Sequence, residues 1–126
     1  MTEPAFDAAT LDVLRERREV RIETRSAGEA VHRTIIWVVV DDGDRVLVRS
    51  YRGAGARWYR EALSGRPVAL EVDRTSLPVG IEVAGDPERV AACSRALEAK
   101  YAGDPATPAM LRDEVLGTTL ELTPRG

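Results

Sequence analysis

The stretch from Ala30 to Leu70 constrains the fold more than any other part of the chain. An apolar run, Arg33-Thr-Ile-Ile-Trp-Val-Val-Val40, has the β-branched enrichment of a buried strand and is followed by Asp41-Asp-Gly-Asp44. Beyond that turn, Val46 and Val48 alternate with Arg45, Leu47 and Arg49. The spacing predicts a β-hairpin in which Arg33 to Val40 and Arg45 to Tyr51 lie antiparallel. The second strand opens into Arg49-Ser-Tyr-Arg-Gly-Ala-Gly-Ala-Arg-Trp-Tyr-Arg60, with a short helix expected to start near Gly55. Unpaired N–H groups and the positive end of the dipole favour an anion there, so the loop's glycines, hydroxyl and four arginines suit a phosphate-bearing ligand.

Arginine needs discounting before it is used as evidence. The cations are seventeen Arg and one Lys, Lys100, so Arg is the default surface charge of this chain. What marks Arg49, Arg52, Arg57 and Arg60 is their clustering with Gly53 and Gly55. A net charge of −3 argues against a nucleic-acid binder, whose affinity rests on many phosphate contacts from a basic face. No apolar run reaches eighteen residues, and the start, Met1-Thr-Glu-Pro-Ala5, has neither a basic n-region nor an apolar h-region. A cytoplasmic protein without membrane span or secretory leader is expected. One cysteine, Cys93, and one histidine, His32, assemble neither an internal disulfide nor a zinc cage of the Cys/His kind.

The remaining pattern is that of one strand-dominated domain over residues 1–126, long enough to bury a core. Leu11 and Leu14 at helical spacing, with Asp7 as cap, predict a helix over Asp7 to Arg17. Val20, Ile22 and Thr24 alternate with charged residues as a half-buried strand ending in the turn Ser26 to Glu29. Trp58 to Leu63 reads as a short helix, Pro67 to Val72 and Gly80 to Val83 as strands with Asp73 to Pro78 between them, and Gly117 to Leu122 as the last strand. Pro87 to Tyr101 is the clearest helix: Asp86 caps it, Pro87 fits its first turn, and Val90, Cys93, Leu97 and Tyr101 share one face. Arg89, on its outer part, reads as a solvated charge. Six strands and three helices describe an α+β domain built on an antiparallel barrel. The Gly53-Ala-Gly55 pair lacks the third glycine and later acidic partner of a dinucleotide fingerprint, which excludes a Rossmann site.

The segments Glu23-Thr-Arg-Ser-Ala-Gly28, His32-Arg-Thr-Ile-Ile-Trp37 and Arg49 to Leu63 resemble the split β-barrel superfamily, which includes pyridoxamine-phosphate-oxidase-like flavoproteins and deazaflavin-dependent nitroreductases. Nearly the whole chain, including Tyr101-Ala-Gly-Asp-Pro-Ala-Thr-Pro-Ala-Met110, is similar to the bacterial family called domain of unknown function 2255. Thr24, Gly28, Arg33 and Thr34 resemble the nitroreductases' threonine strand, Gly turn and Arg-Thr pair. Ser50, Gly53 and Trp58 through Leu63 resemble their later hydroxyl, glycine and Trp-x-x-x-x-Leu segment, and Arg57 stands where the flavoproteins hold the cofactor phosphate. Two departures stand out: the turn after Thr24 is Arg-Ser-Ala-Gly, and Trp58 replaces the lysine that follows the phosphate arginine in the oxidases.

The resemblance implies a split β-barrel homodimer that binds FMN or the deazaflavin coenzyme at its subunit interface and passes hydride to a small organic acceptor. On that reading Arg33, Ser50, Arg52 and Arg57 anchor the phosphate, Gly53 belongs to the cofactor-binding set, and Trp37 or Trp58 lines the ring site. On a strand Arg33, Ile35 and Trp37 share one face, which allows an arginine and an indole to serve one ligand. The other reading is a cofactor-free ligand-binding or accessory barrel without redox activity. The altered turn and the missing lysine favour it. His32 suits general acid-base work by type but packing or solvation by position, and Cys93 reads as an inert core thiol. Tyr51 and Tyr59 flank the basic loop as substrate donors or as packing. No catalytic residue stands out.

Overall fold

The computed structural model describes residues 5–125; the amino-terminal residues 1–4, part of the segment read as carrying no leader, lie outside them. Seven strands form one antiparallel sheet: β1 Val20–Arg25, β2 Val31–Ile36, β3 Val39–Val40, β4 Val46–Val48, β5 Val68–Val72, β6 Thr75–Val83 and β7 Leu120–Pro124. Around it sit α1 Ala8–Glu16, a 3-10 turn Gly53–Gly55, α2 Arg57–Ala62, α3 Pro87–Lys100, α4 Thr107–Met110 and α5 Asp113–Leu116. The expected six strands and three helices thus become seven and five among the described residues.

The strand order, β2-β1-β5-β6-β7-β4-β3, explains the extra strand. Its two outermost strands are consecutive in the chain, separated only by Trp37 and Val38. The sheet therefore curls until its edges meet across those two residues. The run from Arg33 to Val40 is a single strand in sequence that breaks to serve both edges. This corrects the predicted hairpin: β2 pairs with β1, as Val20↔Ile36 through Arg25↔Val31, and only Val39↔Leu47 and Val40↔Val46 join the run to β4.

The hairpin turn itself is built by Asp41, whose buried carboxylate accepts the backbone N–H of Gly43 and of Arg45, each at 2.9 Å, and Arg45 Nε at 2.7 Å. Asp44 takes the left-handed conformation, φ 63°, which short polar side chains tolerate. A second correction concerns Asp73 to Pro78. Asp73 and Arg74 both have positive φ, 50° and 67°, the geometry of a two-residue hairpin turn whose twist matches its strands. Val72 pairs with Thr75, so Thr75 to Pro78 belong to β6. Neither residue is the glycine or asparagine that announces such a turn, and Pro78 argues against a strand until its place near the end of the β7 ladder is known.

Inside the curl, Leu14, Ile22, Val38, Leu70 and Leu120 are fully buried in one apolar core that also takes Trp58 and Tyr59 from α2. A second core, between the β3–β4 hairpin and α3, contains Leu47, Cys93, Leu97, Tyr101 and Met110. Asp7 and Asp86 cap α1 and α3 as expected, accepting the N–H of Thr10 at 2.8 Å and of Arg89 at 3.1 Å.

Candidate functional site

Arg49 leaves the end of β4 and is 1% exposed, yet no carboxylate among the described residues meets it. Its guanidinium donates to Thr119 Oγ1 at 2.9 Å, Ser94 Oγ at 3.0 Å, the Met110 carbonyl at 2.9 Å and the Val90 carbonyl at 3.0 Å. One side chain thus ties α3, α4 and the segment before β7 to the loop that follows β4. Burial holds its pKa below the usual arginine value. The next residue, Ser50, is equally buried: its hydroxyl donates to the Gly53 carbonyl at 2.7 Å and its N–H to Thr118 Oγ1 at 3.0 Å. Gly53, at φ 79°, supplies the backbone conformation that lets this loop turn into the 3-10 segment.

The fixed loop forms one side of a cavity of about 310 Å³. Trp37, Trp58, Tyr51 and Met110 supply its aromatic and sulfur surface, with Arg49 and Arg52 as its cations. Trp37 is held from behind by Tyr101, stacked at 3.9 Å between ring centroids and within 3° of parallel. The Tyr101 hydroxyl donates to the Arg18 carbonyl at 2.7 Å and receives the Val38 N–H at 3.3 Å, locking the break between β2 and β3; burial pushes its pKa up to about 12. Trp58 packs edge-on against Tyr59, centroids 6.0 Å apart. Tyr51 stays half exposed beneath Arg112, which donates to its carbonyl at 2.8 Å and lies 5.6 Å from its ring centroid.

The predicted residues separate. Trp37, Arg52 and Trp58 meet at the cavity, and Ser50 and Gly53 shape the loop beneath it. Arg33 does not reach it: on the outer face of β2 it pairs with Glu23 at 3.1 Å and Glu71 at 3.8 Å. Arg57 opens α2 and lines a separate shallow cleft with Arg60, Arg66, Ser26 and Ser64, and with the carboxylate-bearing Glu61. Ala56 belongs to the cavity wall and Arg57 to the cleft, so the two lie on either side of one peptide bond. His32 stands 3.8 Å from Glu61, which accepts the Thr24 hydroxyl at 2.8 Å. Cys93 is fully buried, and burial raises its thiol to about 11. Arg89 is not solvated: it reaches Asp86 at 2.6 Å, Glu121 at 3.0 Å and also Glu82. Met110, Ala106 and Arg112 escaped the sequence reading because four-residue helices are too short to show a period.

From residue 10 to 122 the sequence matches the family described as "Uncharacterized protein conserved in bacteria (DUF2255)", and the chain belongs to that family. Comparison with curated proteins gives no match. Among solved structures, the chain is similar to the conserved hypothetical protein Rv2991 from Mycobacterium tuberculosis, with TM-score 0.69 and 16% identity over 100% of this chain and 85% of that one. It is similar to HutZ, the heme storage protein from Vibrio cholerae, with TM-score 0.62 and 11% identity over 97% and 92% of the two chains. Atu2129 from Agrobacterium tumefaciens, of unknown function, gives TM-score 0.67 and 10% identity, covering 98% of this chain but 57% of its own. At these identities the likeness is one of fold, an α+β split-barrel-like architecture.

Proposed function

We propose that this member of the family binds a flat conjugated cofactor of the FMN or deazaflavin class in the aromatic cavity and with it reduces a small organic acceptor in the cytoplasm. The observation that carries the reading is the meeting of Trp37, Trp58, Tyr51 and Met110 with two guanidinium groups on one cavity of about 310 Å³. Ligand sites of this kind are mainly apolar, with a few placed polar groups that fix orientation. In such an enzyme the cofactor supplies the hydride chemistry, and the protein supplies binding, orientation and exclusion of water. Trp37 and Trp58 would face the ring, and Arg52 its polar edge. Arg57 would take the phosphate in the neighbouring cleft, where Arg60 and Arg66 add donors suited to planar oxyanions. Ser50 and Gly53 hold the loop in place. Arg33, engaged across the sheet, acts only through the strand it steadies.

Exposed Ile35 and Tyr51 belong to the cavity wall, so a second copy of the chain packed there would complete the site. Light scattering should then give twice the 13.8 kDa chain mass. Heme, named for the Vibrio cholerae neighbour, needs an axial ligand. The single histidine is turned to Glu61 and forms no part of the cavity wall, so Met110 and Tyr51 are the side chains of that wall with an axial-ligand atom. A cofactor-free ligand-binding barrel is the second reading, supported by the engagement of Arg33 and Ser50 in the fold itself. The absorption spectrum of freshly purified protein separates them: a bound flavin or deazaflavin band supports the redox enzyme. No band, with no uptake of either cofactor added back, leaves the cofactor-free barrel.

A further inference from the structure

A second cavity, of about 530 Å³, lies between the β3–β4 hairpin, α1 and one face of α3, and shares no lining residue with the aromatic one. Ala92, Ala96 and Ala99 keep that face of α3 low, while Arg95, Lys100 and, from α1, Arg15 bring charge to the wall. Lys100 is the only lysine in a chain that uses arginine seventeen times, so a need for surface charge does not explain it. Its Nζ donates to the Leu14 carbonyl at 2.8 Å and the Val38 carbonyl at 2.6 Å, and stands 5.3 Å from the Tyr101 ring centroid. Two neutral acceptors hold two of its protons, and the third tetrahedral position carries a proton or, in the neutral amine, the lone pair.

Burial and the nearby Arg18 lower this amine to about pH 8. At pH 7 about one molecule in ten then carries a neutral amine, against roughly one in a few thousand for an ordinary lysine. The other charges on the cavity wall are Arg15, Arg45, Arg95, Asp41 and Asp42. Arg15 is paired with Asp44 and Arg45 with Asp41, whereas Arg95 has no ion pair among the described residues and is available to a carboxylate.

We propose that Lys100 is a carbonyl-reactive amine that takes a small 2-oxo acid from this cavity as an imine. The amine lone pair attacks the carbonyl carbon and a C–N bond forms. The carbonyl oxygen leaves as water, and no electrons are gained or lost. With one proton drawn from solvent, the product is a protonated imine holding a single N–H. That N–H keeps the Leu14 carbonyl, and the Tyr101 hydroxyl, 3.2 Å from the released Val38 carbonyl, satisfies it by turning its one proton away from the Arg18 carbonyl. Arg95 receives the acid's carboxylate.

The test places an ordinary lysine in the same molecule. Arg74 is exposed in the β5–β6 turn, so R74K adds a solvated amine without touching either cavity. The variant is treated with glyoxylate and cyanoborohydride, and the reduced adducts are quantified by peptide mapping. At pH 7 position 100 should be labelled at least ten-fold faster than position 74, and its rate should level off above about pH 8 while that at position 74 keeps rising. Labelling at position 100 that is no faster than at position 74, or that fails to level off, would show Lys100 to be a structural staple and overturn the proposal.

Discussion

Arg49 and Arg57 come from one arginine-rich stretch of sequence, eight residues apart, and the fold uses them in opposite ways. Arg49 is enclosed by two hydroxyls and two carbonyls drawn from three parts of the chain. Arg57 stands at the surface beside Arg60 and Arg66, with no ion pair among the described residues. The first is a cation spent on architecture: its planar fork replaces several separate hydrogen bonds and positions the loop beneath the aromatic cavity. The second leaves its donors without an ion-pair partner among the described residues. Clustering in sequence identifies neither role. What separates them is the direction imposed by neighbouring elements, since Arg49 follows a strand buried on both faces and Arg57 begins a short surface helix.

The sharpest way to break this contrast is Arg49→Ala. It strands two buried acceptors, Thr119 Oγ1 and the Met110 carbonyl, and two part-buried ones; at about 1–3 kcal/mol for each buried orphan, a loss of roughly 3–5 kcal/mol is expected in urea unfolding. A lysine there should recover only part, because it lacks the fork. A loss below about 1 kcal/mol for the alanine variant would show that the contacts do not hold the loop.

Arg57→Ala should leave the unfolding midpoint unchanged and weaken FMN or deazaflavin binding by about 1.5–3 kcal/mol, ten- to more than a hundred-fold. Arg52→Ala should weaken binding less, since Arg52 would meet the polar edge of the ring rather than the phosphate. If Arg57→Ala destabilises the protein as Arg49→Ala does, the two arginines are not distinct.

A third prediction concerns pH and uses a half-buried cation, Lys100. Its folded pKa of about 8 lies below the unfolded value of 10.5, so between these the unfolded chain binds the extra proton and stability rises with pH. From pH 8 to 9 the gain should be about 1 kcal/mol, short of the one-proton limit of about 1.4 kcal/mol because half of the folded amines are still protonated at pH 8. Above pH 9 Cys93, raised to about 11 from 9.0, acts in the opposite direction and flattens the curve. Lys100→Arg should abolish the rise, and an unchanged slope in that variant would refute the assignment. The smallest effect belongs to Arg74→Ala, an exposed charge in a turn, expected to change binding less than two-fold.

Much of the architecture is legible from the chain. The caps Asp7 and Asp86, the α3 face carrying Cys93 and Leu97, and the alternation in β1 all follow from local rules that the structure obeys. The break at Trp37-Val38 is not legible, because it answers to closure of the sheet rather than to any property of those two residues. The turn at Asp73-Arg74 is hidden by residues that rarely adopt positive φ. Of the residues named from sequence, Trp37, Arg52 and Trp58 line the cavity, whereas Arg33 does not, although Ile35 and Trp37 of its own face do: it lies further along the strand, where Glu23 and Glu71 pair with it. Its cross-strand partner Glu23, opposite it in register, is the signal that pairing knowledge supplies. Met110 and Ala106 arrive from a segment more than forty residues away in sequence and only the tertiary fold brings them in.

A calorimetric titration of the purified protein with FMN and, separately, with the deazaflavin coenzyme tests the central claim most directly. The aromatic cavity predicts micromolar or tighter binding of one of them, lost in Trp58→Ala variants that remain folded and weakened in Arg57→Ala. Absence of binding to both cofactors at micromolar concentration, or binding indifferent to both substitutions, would contradict it.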